Sequence, residues 1–207
     1  AAAAGRDLME ASIACAEAGV TTGEWADALR GVFGEYRAPT GVVGVFEAEG
    51  ASAERREVAR RVRQLSERLG RNLKMLIGKP GLDGHSNGAE QVAVKARDVG
   101  MEVVYEGIRL TPAQIAESAL QEGVHVVGLS ILSGSHLKLV PEVIRGLEER
   151  GLKNLPVVLG GIIPESDLAK LPHASIRRVF APRDYNLNRI MSAVVDIVAE
   201  ANGVDLS

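Results

Sequence analysis

The sequence predicts an α/β fold in which a five-stranded parallel sheet carries helices on both faces and follows a helical leading segment. Three observations point there. From Asn72 onward, short apolar runs alternate with amphipathic stretches of helix length, the pattern of a parallel sheet wound by right-handed crossovers. Before Asn72, apolar residues recur at helical spacing. The length of 207 residues suits one well-buried domain with a smaller appendage, at roughly 150 residues per domain.

Taken in order, residues 5–36 read as two helices. The first is centred on Leu8, Ile13 and Ala16; the second is opened by Thr21 with Glu24 three residues on, a capping-box spacing. Trp25, Leu29 and Phe33 then fall on one face, an apolar stripe that requires a cover. Residues 38–50, with Pro39 and several glycines, read as a linker. Val58, Val62, Leu65 and Leu69 mark one face of a third helix, stopped by Gly70. Strands are expected at 73–77, 102–105, 125–130, 156–160 and 178–180, with helices starting near Ala89, Pro112, Lys138, Glu165 and Leu187. Proline directly after Thr111 is a good helix start, because the missing amide hydrogen has no intrahelical partner at that position. Five such units suggest the flavodoxin-like order 2-1-3-4-5, in which a ligand sits outside the carboxyl ends of the strands, where the order reverses. The expected division is a helical segment and linker over 1–70 and a ligand-binding domain over 71–207.

Composition excludes several classes. With 46% hydrophobic and 25% charged residues the chain is of globular type, and no apolar run approaches the roughly 18 residues of a membrane span. A net charge of -3 leaves no footprint for nucleic acid. The arginines at 55, 56, 60, 61 and 63 are interleaved with Glu54, Glu57 and Glu67 and read as a solvated helix face. Cys15 is the only cysteine, which rules out a disulfide framework within the chain and fits a reducing, cytoplasmic setting. The opening alanines carry no secretory or transit pattern, and without an initiator methionine the chain is expected to be a piece of a longer one.

The loop after the first strand, residues 79–88, reads Lys-Pro-Gly-Leu-Asp-Gly-His-Ser-Asn-Gly. It lacks the Gly-Lys-Ser/Thr ending of a phosphate loop and the spacing of a dinucleotide fingerprint. Asp83 and His85 are the sharper pair, since a carboxylate two residues before a histidine can bond one ring nitrogen and leave the other free as a ligand. Spacing alone leaves open a structural or merely solvated histidine, and leaves Lys79 open as an ordinary exposed lysine. Zinc or iron would need further protein ligands, and His125, His136 and His173 are scattered. Cobalt in a corrin differs, because the macrocycle supplies four equatorial nitrogens and one imidazole completes the lower position.

Asp83-x-His85-x-x-Gly88, Ser130-x-Leu132 after the third strand and Gly160-Gly161 after the fourth together match the cobalamin motif and its companions. In these residues the chain resembles adenosylcobalamin-dependent acyl-CoA mutases of the methylmalonyl-CoA mutase family, and is most similar to the ethylmalonyl-CoA type. Residues 105–112 and 158–164 look like that group too, and the leading helices resemble the segment joining a substrate barrel to the cobalamin domain, which would cover the Trp25 stripe. After the last strand the family's methylmalonyl branch tends to carry Gly-Pro-Gly-Thr, whereas residues 181–184 are Ala-Pro-Arg-Asp; this favours the ethylmalonyl branch and leaves the contacts around Arg183 and Tyr185 open.

The resemblance implies base-off binding, in which the cofactor's own dimethylbenzimidazole leaves cobalt, its nucleotide tail enters a slot beside the sheet, and His85 becomes the metal ligand. It further implies that Asp83 orients His85, that Lys79 supports the carboxylate, and that Ser130 bonds the base of the tail. The implied cofactor-binding set is Lys79, Asp83, Gly84, His85, Ser86, Gly88, Ser130, Leu132, Ser133, Gly134, Gly160 and Gly161, with no catalytic side chain in this chain. Small residues, Gly128 among them, suit the close approach of a flat heterocycle to backbone. The implied partners are cobalamin, the substrate barrel of the same enzyme and further copies in a homo-oligomer. The implied reaction is a radical carbon-skeleton isomerisation, ethylmalonyl-CoA to methylsuccinyl-CoA. Two alternatives stand beside it: a corrinoid methyl carrier, whose loop usually reads Gly-Asp-x-His-Asp-Ile-Gly-Lys, and a non-enzymatic flavodoxin-like module. A receiver would want an aspartate where Ser130 stands, and a flavin carrier would want more than 3% aromatics.

Overall fold

The computed structural model describes residues 2–5, 7–34, 49–171, 175–184 and 186–206. The expected linker over 38–50 falls almost wholly outside them, as do His173 and Tyr185. Contacts divide the chain into two units, Ala1–Phe46 and Glu47–Ser207.

In the smaller unit, a short 3-10 turn at Ala2–Ala4 precedes α1 (Met9–Glu17) and α2 (Thr22–Phe33). The capping box forms: the Thr21 hydroxyl accepts from the Glu24 amide at 3.3 Å, and the Glu24 carboxylate accepts from the Thr21 amide at 2.9 Å. The Trp25 indole N–H donates to the Ser12 hydroxyl at 3.0 Å, tying α2 to α1. Met9, Ile13, Val32 and Phe33 stay exposed.

The larger unit contains α3 (Glu49–Leu69), β1 (Lys74–Gly78), α4 (Asn87–Asp98), β2 (Glu102–Tyr105), α5 (Pro112–Glu122), β3 (Val126–Ile131), α6 (His136–Glu149), β4 (Val157–Gly161), α7 (Glu165–Leu168), β5 (Ile176–Phe180) and α8 (Leu187–Ala201). All strand pairs are parallel and the order is β2-β1-β3-β4-β5, as expected from the sequence. No helix of the described residues is long and apolar enough to cross a membrane.

Strand side chains alternate between faces, and here the alternation sorts them into two cores. Met75, Ile77, Val126, Val158 and Phe180 pack with α3, α4 and α8, whereas Leu76, Val127, Leu129, Ile131, Val157 and Leu159 pack with α5 and α6. Helix α3 supplies Val58, Val62 and Leu65, all buried, to the first core, and its Arg61 reaches Ser192 and Asp196 on α8. The helix that the sequence grouped with the leading segment thus packs within the larger unit. On the second face, α5 begins with its own capping box between Thr111 and Gln114.

Candidate functional site: a carboxylate-held histidine beside an apolar slot

Lys79 follows directly on β1 and is pinned by backbone. The Leu110 amide donates to the Lys79 carbonyl at 3.1 Å, and the Gly81 amide to the Leu110 carbonyl at 2.9 Å, which carries the parallel pairing of the sheet into the loop. The Lys79 side chain is fully buried, and its ammonium donates to Asp83 Oδ2 at 3.3 Å and to the Ser130 carbonyl at 3.5 Å. Burial of a lysine is tolerable only with such partners.

Asp83 gathers four donors. Oδ2 takes the Lys79 ammonium and the Leu132 amide at 3.2 Å; Oδ1 takes the His85 amide at 3.0 Å and faces His85 Nδ1 at 2.7 Å. The His85 backbone amide first, then the ring and the Lys79 ammonium, hold this carboxyl far below the usual carboxylate range. An ionised carboxylate can only accept, so Nδ1 carries the hydrogen and Nε2 keeps its lone pair. The Asp83 side chain is 4% exposed and that of His85 is 82% exposed: a buried anion holds a ring that stands in solvent. Replacing Lys79 by methionine should cost about 2 kcal/mol, below the usual figure for breaking a buried pair because Asp83 retains three donors. Urea midpoints with an unchanged slope would measure it, and a variant as stable as the parent would show that the ammonium does not hold Asp83.

Next to this loop, on the α4 and α8 side of the sheet, lies a slot of about 270 Å³. Its floor is the first face of the strands: Met75, Ile77, Gly128, Ser130, Val158, Gly160 and Phe180. Ala89 and Val92 of α4 and Ile190 and Val194 of α8 form its sides. Alternation explains the opening, since the positions that would otherwise fill it are Gly128, Ser130 and Gly160. A Cβ on Gly128 would come within 2.7 Å of the Met75 terminal methyl, whereas one on Gly160 would meet nothing closer than 4.0 Å and would project into free space. Gly161 is required for a different reason: at φ 139° its Cβ would sit 1.9 Å from the Ile131 carbonyl oxygen.

Among the residues expected at the site, Gly88, Ser130, Leu132, Gly160 and Gly161 line the slot. Lys79, Asp83 and His85 form the adjoining chain, linked to the slot through the Leu132 amide and the Ser130 carbonyl. Gly84 and Ser86 lie in the same loop, Ser86 at the cap position of α4. Ser133 and Gly134 lie outside the slot on the β3–α6 loop, where the Ser133 and Ser135 hydroxyls share a hydrogen bond of 2.7 Å. Sequence reasoning missed the helical walls and the end of β5, namely Phe180, Ala181 and Pro182. Only the helical spacing of Ala89, Val92, Ile190 and Val194 hinted at the walls, and it reads equally as core.

The other described histidines are occupied. Nδ1 of His125 accepts the Lys74 amide at 2.9 Å at the amino end of the sheet, where burial first, and Arg71 second, lower its pKa. His136 Nε2 meets Asp167 Oδ2 at 3.0 Å. No group of three or more His, Cys, Asp or Glu suited to a metal ion exists among the described residues, so a metal here must bring most of its ligands with it. A single exposed imidazole with a fixed tautomer, beside a narrow apolar slot floored by glycines and one serine, fits a macrocycle-bound metal whose flat heterocyclic appendage enters the slot.

Residues 73–180 match the family model described as the B12 binding domain. The chain is 52% identical over 200 residues to ethylmalonyl-CoA mutase of Cereibacter sphaeroides, covering 96% of this chain and 30% of that protein. It is 51% identical to ethylmalonyl-CoA mutase of Methylorubrum extorquens, covering 97% and 29%, and 34% identical to methylmalonyl-CoA mutase of C. sphaeroides, covering 97% and 28%. The chain therefore spans about 30% of the length of these curated relatives. Among solved structures, a cobalamin-binding protein from Desulfitobacterium hafniense superposes with a TM-score of 0.52 at 21% identity, covering 60% of this chain and 58% of that one, a likeness of fold.

Proposed function

The chain belongs to the B12-binding domain family, and from that membership we propose that it is the cofactor-holding part of an adenosylcobalamin-dependent acyl-CoA mutase of the ethylmalonyl type, with His85 as the lower axial ligand of cobalt. The observation that carries this reading is the fourfold-bonded carboxylate of Asp83 beneath an exposed imidazole. Similarity to the two ethylmalonyl-CoA mutases supports the choice of enzyme.

When bound, adenosylcobalamin supplies the radical chemistry that rearranges the carbon skeleton of a branched acyl-CoA, ethylmalonyl-CoA to methylsuccinyl-CoA in this proposal. The residues of the chain bind and orient. Asp83 fixes the His85 hydrogen on Nδ1 and directs the Nε2 lone pair outward. Lys79 and the Leu132 amide keep the carboxylate ionised and stationary, so the ligand's basicity is set from inside the fold. Ser130 offers its hydroxyl to the edge of the displaced base, and Gly128 and Gly160 leave the base its space. The substrate barrel, the homo-oligomeric assembly and a cytoplasmic setting form part of the same proposal.

The test is spectroscopic. With cobalamin, the wild-type protein should give a base-off absorption spectrum, and EPR of the cob(II) form should show an axial nitrogen whose splitting changes when the protein is labelled with ¹⁵N-histidine. In His85→Ala that protein-derived nitrogen should vanish; a variant that keeps it places the ligand elsewhere. The chain alone should bind cobalamin and isomerise no acyl-CoA, and turnover without added protein would refute this division of labour.

A further inference from the structure

A second cavity, of about 440 Å³, opens between the end of β5 and the start of α8. Phe180 and Ile190 line both this cavity and the slot, so the two spaces adjoin. Their chemistry differs sharply. Where the slot is apolar, the second cavity is walled by the side chains of Arg178, Arg183 and Arg189. Arg178 lies over the Phe180 ring at 5.3 Å from its centroid, a contact that holds the guanidinium without neutralising it. Arg183 faces Glu165 at 3.6 Å with both side chains largely exposed, a weak pairing. Asp184, the carboxylate in the wall, accepts the Ala181 amide at 2.9 Å. Among the described residues neither Arg178 nor Arg189 has an acidic partner, and Asn186 caps α8 by accepting the Arg189 amide at 3.1 Å.

Three guanidiniums around one hollow, in a chain whose net charge is -3, repel one another unless an anion joins them. Their planar forks match the oxygens of a phosphate. We propose that this notch binds a phosphate group, either the phosphodiester that carries the base of a nucleotide tail in the adjoining slot or a separate phosphate. The first source rests on the cobalamin reading above. A phosphodiester cannot follow its base into an apolar slot without a large desolvation cost, and a cationic hollow sharing two wall residues with that slot gives it a place.

The experiment titrates the whole chain with cobalamin, with cobinamide phosphate, which keeps a phosphate and lacks the base, with cobinamide, which lacks both, and with inorganic phosphate alone. The variant is Arg178→Gln/Arg189→Gln, with Arg178→Lys/Arg189→Lys to restore the charge. The glutamine variant should bind cobalamin and cobinamide phosphate roughly tenfold more weakly and cobinamide as the parent does, with a flatter salt dependence and partial rescue by lysine. If the variant instead keeps both corrinoid affinities and loses only the parent's binding of inorganic phosphate, the phosphate site stands with a separate phosphate as its ligand. Equal binding of every probe by parent and variant overturns the proposal. A parent that binds inorganic phosphate and no corrinoid leaves the notch in place and removes the cobalamin reading; a parent that binds none of the probes removes both.

Discussion

Replacing Gly161 by alanine is expected to destabilise the protein by roughly 3–5 kcal/mol, through strain in a backbone region nearly confined to glycine and through disruption of the central strand pair. Gly161 ends β4 opposite Ile131 of β3. An added Cβ would lie 1.9 Å from the Ile131 carbonyl oxygen and 2.8 Å from its carbonyl carbon. Both are main-chain atoms, so no side-chain rotation can clear the clash, and relief requires β3 and β4 to part at the rim that carries Ser130 and Leu132. Chemical denaturation should show the loss as a lower midpoint at constant slope. A change below about 1 kcal/mol, the ordinary cost of a point substitution, would mean that the two strands separate more freely than their pairing implies.

Its neighbour should behave in the opposite way. Gly160→Val is expected to lower cobalamin affinity by at least about 100-fold, near 2.7 kcal/mol, while leaving folded stability equal or raised. The backbone at Gly160 is not in the positive-φ region, and its Cβ would touch nothing within ordinary contact distance, so valine gains strand preference without strain. The added methyls would stand in the slot that the nucleotide tail is proposed to fill. Cobinamide, which has no tail, should bind this variant as it binds the parent. Parallel melts and absorbance titrations decide the matter: unchanged cobalamin binding would show that the tail lies elsewhere.

This pair of glycines also marks how far the sequence could be read. Gly160-Gly161 was visible as a motif, yet the chain does not say that one glycine spares a cavity and the other a strand pair. That distinction comes from the pleat, which sends consecutive positions to opposite faces. The sheet order and the helix starts at Pro112, Glu165 and Leu187 were legible because short apolar runs and capping residues are local signals. Strand ends shifted by a residue or two, as at β3, read as 125–130 and found at Val126–Ile131, because the ladder with neighbouring strands sets them. Lys79 could not be told from a surface lysine, since its burial depends on a carboxylate four residues on and a carbonyl 51 residues away. The slot walls were invisible for a related reason: Val92 and Val194 look like any core stripe until two helices are found to stand apart.

The seating of α3 on α8 sets where this protein can be cut. A version starting at Asn72 would strip Val58, Val62 and Leu65 from the interior and leave the outer flank of α8, one wall of the slot, bare to water. Such a truncation should aggregate or melt early, while one starting at Glu49 should stay monodisperse and take up corrinoid. The smallest independent binder is thus longer at its amino end than the motif-bearing stretch, by the 21 residues of one helix and the short turn after it.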